Sequence, residues 1–161
     1  MAVDIFLKCD GIPGESKDSK HGGEIDILSW SWGQSQGGSF GAGGGGGSGK
    51  VQMQDVHFVA KASKASPVLM LKCAIGEHIK KSVLTMRKAG TGQQEFYIVT
   101  MTDGLVSSFQ TGASNSGDDL PNDQFSINFA EILIEYKAQK ADGSLDPAIK
   151  FGYNQSKNEK R

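Results

Sequence analysis

Apolar and polar residues alternate with a period of two along most of the chain, the pattern of strands that bury one face. Val3, Ile5 and Leu7 alternate with Asp4, Phe6 and Lys8. Between Glu24 and Trp32, Leu28, Trp30 and Trp32 fall on one face, and Ser29 and Ser31 fall on the other. The same reading predicts strands over Val51–Val59, Ile79–Arg87, Glu95–Met101, Leu105–Thr111, Gln124–Lys137 and Ile149–Tyr153. Within Gln124–Lys137 the apolar set moves from Phe125, Ile127 and Phe129 to Ile132, Ile134 and Tyr136. That change of parity predicts a bulge at Ala130–Glu131.

One segment has helical signals instead. Ser66 is placed as an N-cap, Pro67 as the first helical residue and Gly76 as the terminating glycine. Val68, Leu69, Leu71, Lys72, Cys73 and Ile75 between them predict a stripe that covers the end of a sheet, in a helix over 66–76. Turn chemistry falls at Gly11–Gly14, Ala89–Gly92, Asp103-Gly104, Asn115–Asp119 and Asp142-Gly143. Many strands and one short helix predict a mainly β fold, an antiparallel β-barrel or tight β-sandwich.

At 161 residues the chain reads as a single domain over 1–161, with a flexible C-terminal tail at 154–161. A formal net charge of −1 makes nucleic acid and anionic membranes poor partners. No apolar run reaches the roughly 18 residues that span a bilayer. Asp4 and Lys8 interrupt the N-terminal apolar stretch, so no secretory signal is read there. The reading is therefore a chain that starts in the cytoplasm, with any export by a route without a cleaved signal peptide. Cys9 and Cys73 lack a redox or zinc spacing and read as reduced packing thiols.

The glycine-rich extended loop at 33–50 needs its own account. Nine of the thirteen residues from Gly37 to Gly49 are glycine. Fixing such a stretch costs on the order of 13–26 kcal/mol at roughly 1–2 per residue, so it orders only against something. Gly44 to Lys50 spells a phosphate-loop pattern, but Val51 stands where a magnesium-binding hydroxyl belongs, and a strand follows where a helix should. His21, His57 and His78 have no metal-ligand spacing, Asp118, Asp119 and Asp123 lack the alternation of a calcium loop, and no nucleophile elbow occurs. No catalytic, metal or cofactor site is expected.

The residues accumulate into a family resemblance. The stretches that carry it are Met1-Ala2-Val3-Asp4, Gly14-Glu15-Ser16-Lys17-Asp18, Glu24-Ile25-Asp26, Trp30-Ser31-Trp32-Gly33 and the glycine tract closing on Gly49-Lys50-Val51. Pro67, Leu69-Met70, Cys73, Gly76-x-His78 and Arg87-Lys88-Ala89-Gly90 follow, then Asn128-Phe129-Ala130, Glu135-Tyr136 and Gln139 to Gly143. Together they resemble the haemolysin-coregulated protein (Hcp) family, the tube subunit of bacterial type VI secretion.

The resemblance implies a homohexameric ring that stacks into a tube inside a contractile sheath, under a valine-glycine-repeat spike protein. It also implies that the lumen holds small effector proteins and that the tube is itself secreted or delivered into target cells. On this reading Ser31 and Ser29 face the lumen as cargo-contact residues. Gly41, Gly43, Gly44, Gly45, Gly46, Gly47 and Lys50 form a ring-stacking loop. The alternative is a monomeric β-barrel that binds a small ligand or glycan.

Overall fold

The computed structural model describes residues 2–38, 40–42, 50–90, 92–117 and 120–161. Its strands are β1 (Val3–Cys9), β2 (Ile25–Asp26), β3 (Ser29–Ser31), β4 (Gln34–Ser35), β5 (Gln52–Met53), β6 (Val56–Lys61), β7 (His78–Lys88), β8 (Glu95–Gly112), β9 (Asn122–Tyr136), β10 (Ile149–Asn154) and β11 (Glu159–Lys160). A single helix among the described residues, α1 (Ala65–Ile75), lies between β6 and β7, and a short 3-10 turn covers Phe40–Ala42.

These strands close into an antiparallel barrel. β1 pairs with β7, β7 with β8, β8 with β9 and β9 with β6. The gap between β6 and β1 is closed by one stretch of chain that changes partner midway. β2 pairs with β1 through Leu7↔Ile25, and the Ile27 N–H donates to the Ile5 carbonyl at 2.9 Å. One residue later the Leu28 N–H donates to the Val59 carbonyl at 2.8 Å, and β3 continues along β6. The residues that fill the barrel are those the alternation points inward: Leu7, Phe58, Leu84, Val99, Met101, Phe125, Ile127 and Ile132 are all essentially inaccessible.

β8 and β9 outrun the barrel. The first half of β9 pairs with β6, and its second half pairs with β10 from Asn154↔Glu131 to Ile149↔Tyr136. At the handover Gln155 satisfies two carbonyls, donating its backbone N–H to Ala130 (2.8 Å) and its side-chain amide to Phe129 (2.6 Å).

The structure differs from several of these expectations. Glu95–Met101 and Leu105–Thr111 are one strand: Asp103, at φ 54°, and Gly104 form a bend within β8 rather than a turn. The register is unchanged across Ala130–Glu131, so the parity switch occurs without an inserted residue there. The register shift lies at Val106/Ser108. Gly104 is required because a Cβ there would stand 2.5 Å from the Asn128 carbonyl oxygen. Gly104→Ala is expected to cost about 1–3 kcal/mol, as overpacking against backbone does. Urea unfolding checks it, and an unchanged midpoint would contradict the close approach.

The helix starts two residues early, at Ala65 rather than Pro67, with Lys64 instead of Ser66 at the cap position and no side-chain cap. Ser66 instead accepts from the Ser63 N–H at 3.0 Å, and its hydroxyl donates to buried Asp123, which also accepts from Thr111 at 2.9 Å. Gly76 ends the helix in the left-handed region as expected, at φ 63°. Only Ala65, Ser66 and Leu69 of the helix are buried, and Leu71 and Ile75 point to solvent. Finally, the stretch expected as a loose tail turns back as a hairpin: Tyr153 pairs with Lys160, and the Arg161 N–H donates to the Gly152 carbonyl at 2.9 Å.

Candidate interaction surface

Ser29 and Ser31 are exposed on the outer face of β3, as the alternation requires. Behind them Trp30 turns inward, with its indole N–H 3.3 Å from the Met86 sulfur and its ring beside Tyr97. Trp32 donates to the Gln54 carbonyl at 2.8 Å and packs against Phe151. Leu28, expected on the same face as the tryptophans, is 55% exposed, because the chain changes partner strand at that residue.

The serines belong to a wider row that pairing carries across four strands. Ser31 is opposite His57, His57 opposite Ser126, and Ser126 opposite Ser108. One step along, Ser29 is opposite Val59, Val59 opposite Gln124 and Gln124 opposite Gln110. Directly paired residues share a face, so these eight side chains form one patch. Ser126 is buried where β8 bulges, bonded to Ser107 (2.7 Å) and Ser108 (2.5 Å). At this end of the patch Asp55 accepts from the Ser107 hydroxyl (2.6 Å) and the Asn128 amide (2.7 Å), one on each carboxylate oxygen.

The glycine-rich loop rises from the same edge. β4 and β5 form a two-stranded ribbon, Gln34↔Met53 and Ser35↔Gln52, and the Gln54 N–H donates to Gly33 at 2.9 Å. Gly41 lies in the 3-10 turn, and Lys50 is exposed on the returning limb. Gly43, Gly44, Gly45, Gly46 and Gly47 lie outside the described residues, as do Asp118 and Asp119.

Two further surfaces carry apolar side chains that the barrel does not use. On α1, Met70, Leu71 and Ile75 are 40%, 58% and 60% exposed. At the far end of β8–β9, the inward-facing row Tyr97, Tyr136 and Ile149 runs past the barrel, leaving Tyr136 45% and Ile149 74% exposed. Sequence reading missed both, because exposed and buried apolar residues look alike in a linear pattern.

A third feature was also not predicted. Buried Arg87 donates to Asp18 at 2.9 Å through Nη1 and again through Nη2, which also reaches Asp4 at 3.2 Å. Its guanidinium lies over the Phe6 ring. His21 stacks on Phe6 at 4.5 Å, with its ring nitrogens 2.9 Å from Glu24 and 3.1 Å from Glu95. This cluster fastens residues 13–24 over the outer face of β1 and β7. Cys9 and Cys73 are both free thiols, and burial pushes the Cys9 thiol up to about 12. No group of three or more metal-ligating side chains occurs among the described residues.

The described residues thus form a closed antiparallel barrel with a polar strand face and apolar surface that the barrel itself does not use. Residues 6–136 match the family model described as type VI secretion system effector, Hcp. The chain is 51% identical over 156 residues to protein hcp1 of Pseudomonas aeruginosa, covering 96% of each. It superposes on Hcp1 from Salmonella typhimurium with a TM-score of 0.82 at 35% identity over the whole of both chains. A structure described as a type six secretion system protein gives a TM-score of 0.93 at 26% identity, over 99% of this chain and all of that one. The chain belongs to the Hcp family of type VI secretion proteins. Members of that family are structural, secreted components of the system, and no helix among the described residues is long and apolar enough to cross a membrane.

Proposed function

We propose that the chain is the subunit of the type VI inner tube. Six copies close into a ring, rings stack inside the contractile sheath beneath the valine-glycine-repeat spike, and small effector proteins ride in the lumen against Ser29 and Ser31. The chain is cytoplasmic before assembly and leaves without a cleaved signal peptide. The observation that carries the ring is the placement of the exposed apolar side chains. Leu71 and Ile75 are on α1, whose first turn is tied by Ser66 to Asp123 at one end of the β8–β9 pair, while Tyr136 and Ile149 lie at its other end. Two different patches on one chain suit a head-to-tail contact that closes by rotation. Exposed apolar surface of this kind marks association.

Native mass spectrometry tests this. A species near six times the 17.1 kDa chain is expected, reduced to monomer by Ile149→Asp combined with Tyr136→Asp. Shortening 41–47 is expected to leave the ring intact and impair stacking, since the loop's ordering cost is recovered only on contact between rings. A wild-type monomer at micromolar concentration would overturn the ring. The monomeric ligand-binding barrel is disfavoured because Phe58, Phe125, Met101 and Ile127 fill the interior.

A further inference from the structure

We infer that the outer face of β3–β6–β9–β8 is an uncharged wall that holds folded proteins through uncharged polar groups on their surface, with His57 as its central contact. This rests on the placement of Ser29 and Ser31 against cargo and extends it to partner chemistry and to a further residue.

Lys, Arg, Asp and Glu make up 22% of the chain, yet none occurs among the eight paired positions of the row. On the other half of the same sheet the outer face carries charge on both sides of one uncharged row, Val83, Thr100 and Leu133: Lys81 stands opposite Thr102, Thr102 opposite Glu131, and Glu135 opposite Lys150. Charge returns to the neutral face only at its borders. Lys61 follows Val59 by one step at one end. At the other end both carboxylate oxygens of Asp55 are already taken by Ser107 and Asn128.

The partner's chemistry follows from what contact would cost. A charged side chain pressed against this wall loses water and gains no counter-charge, which is unfavourable. A hydroxyl or amide exchanges water for Ser, Gln or His at little net cost. Such a wall therefore discriminates against strongly charged surfaces of either sign, and because no ion pairs form, its grip is insensitive to salt. His57 has the largest polar side chain of the row, is exposed, and sits directly across from Ser31 and beside Ser126. The two ring nitrogens of an imidazole lie on opposite edges of the side chain, so it can meet two polar groups of a partner at once.

The experiment uses the full-length chain and one small folded domain prepared in near-neutral, strongly acidic and strongly basic surface forms, with binding read by fluorescence anisotropy. The near-neutral form is expected to bind at least fivefold more tightly than either charged form, equally at low and high salt. His57→Ala is expected to weaken that binding about fivefold, His57→Gln to restore most of it, and His57→Lys to shift preference to the acidic form. Native mass spectrometry of each variant shows whether assembly is untouched. Preference of the wild type for a charged form, or loss of binding in high salt, overturns the uncharged wall. Binding lost in Ser31→Gln but unchanged in His57→Ala removes His57 while leaving the serine face in place. Unchanged binding in Ser31→Gln removes the serine face itself. No binding of any form removes both, and a ring dissolved by the His57 variants makes the face a contact between copies.

Discussion

Phe58→Ala is expected to lower the unfolding free energy by about 3–5 kcal/mol, the cost of emptying a fully buried aromatic site. Phe58 is 1% exposed, stacks on Phe125 at 5.1 Å and pairs across β3 with Trp30. The hole would open where β3, β6 and β9 meet inside the barrel, and paired backbones on both sides keep it from collapsing. Val59, the next residue, sits on the outer face and is half-buried. Val59→Ser is therefore expected to cost about 1 kcal/mol or less. Urea unfolding at one fixed protein concentration checks the contrast, since assembly shifts apparent stability. Equal losses from the two substitutions would mean that β6 does not divide inside from outside.

That division is also what made the barrel legible. Strands with one buried face print their period on the sequence, so β1, β7 and β9 match their expected spans to within two residues, whereas the single strand expected over Val51–Val59 is two, β5 and β6, and β6 runs on to Lys61. What failed was local chemistry overruled by distant contacts. Asp103-Gly104 is a turn dipeptide by composition, and only the Asn128 carbonyl pressed against Gly104 shows that the strand runs through it. Leu71 and Ile75 fit an apolar stripe, but the barrel takes only the Ala65, Ser66 and Leu69 side of α1. The polar face was half legible for the same reason. Ser29 and Ser31 follow from alternation within β3, whereas their neighbours His57 and Gln124 depend on register between strands far apart in sequence. The Arg87 cluster had no sequence signal, because a buried arginine is indistinguishable from a surface one until its partners, 69 and 83 residues away, are placed.

Arg87→Ala is expected to cost about 2–3 kcal/mol near neutral pH, less than a fully buried ion pair because Asp18 and Asp4 keep partial access to water. The loss combines the guanidinium's packing on Phe6 with the anchoring of residues 13–24. Its pH dependence identifies the mechanism. The hydrogen bonds from Arg87, helped by the Lys20 and His21 N–H groups, hold the Asp18 carboxyl well below the usual carboxylate range. The unfolded chain thus binds that proton more readily than the folded one. Asp18's contribution is whole above the ordinary aspartate value of about 3.9 and is lost as pH falls toward its folded value. Asp26 runs the other way: burial and the charges of Asp4 and Asp18 raise it, so the fold gains some stability as it takes up that proton. The wild type should therefore hold its stability down to about pH 5 and lose it on further acidification through about pH 3, partly offset by Asp26. In Asp18→Asn that acid limb should be shallower, and the penalty of Arg87→Ala should shrink toward low pH. Urea midpoints across this range decide it. Parallel pH curves for the wild type and Asp18→Asn would show that Arg87 acts by packing alone.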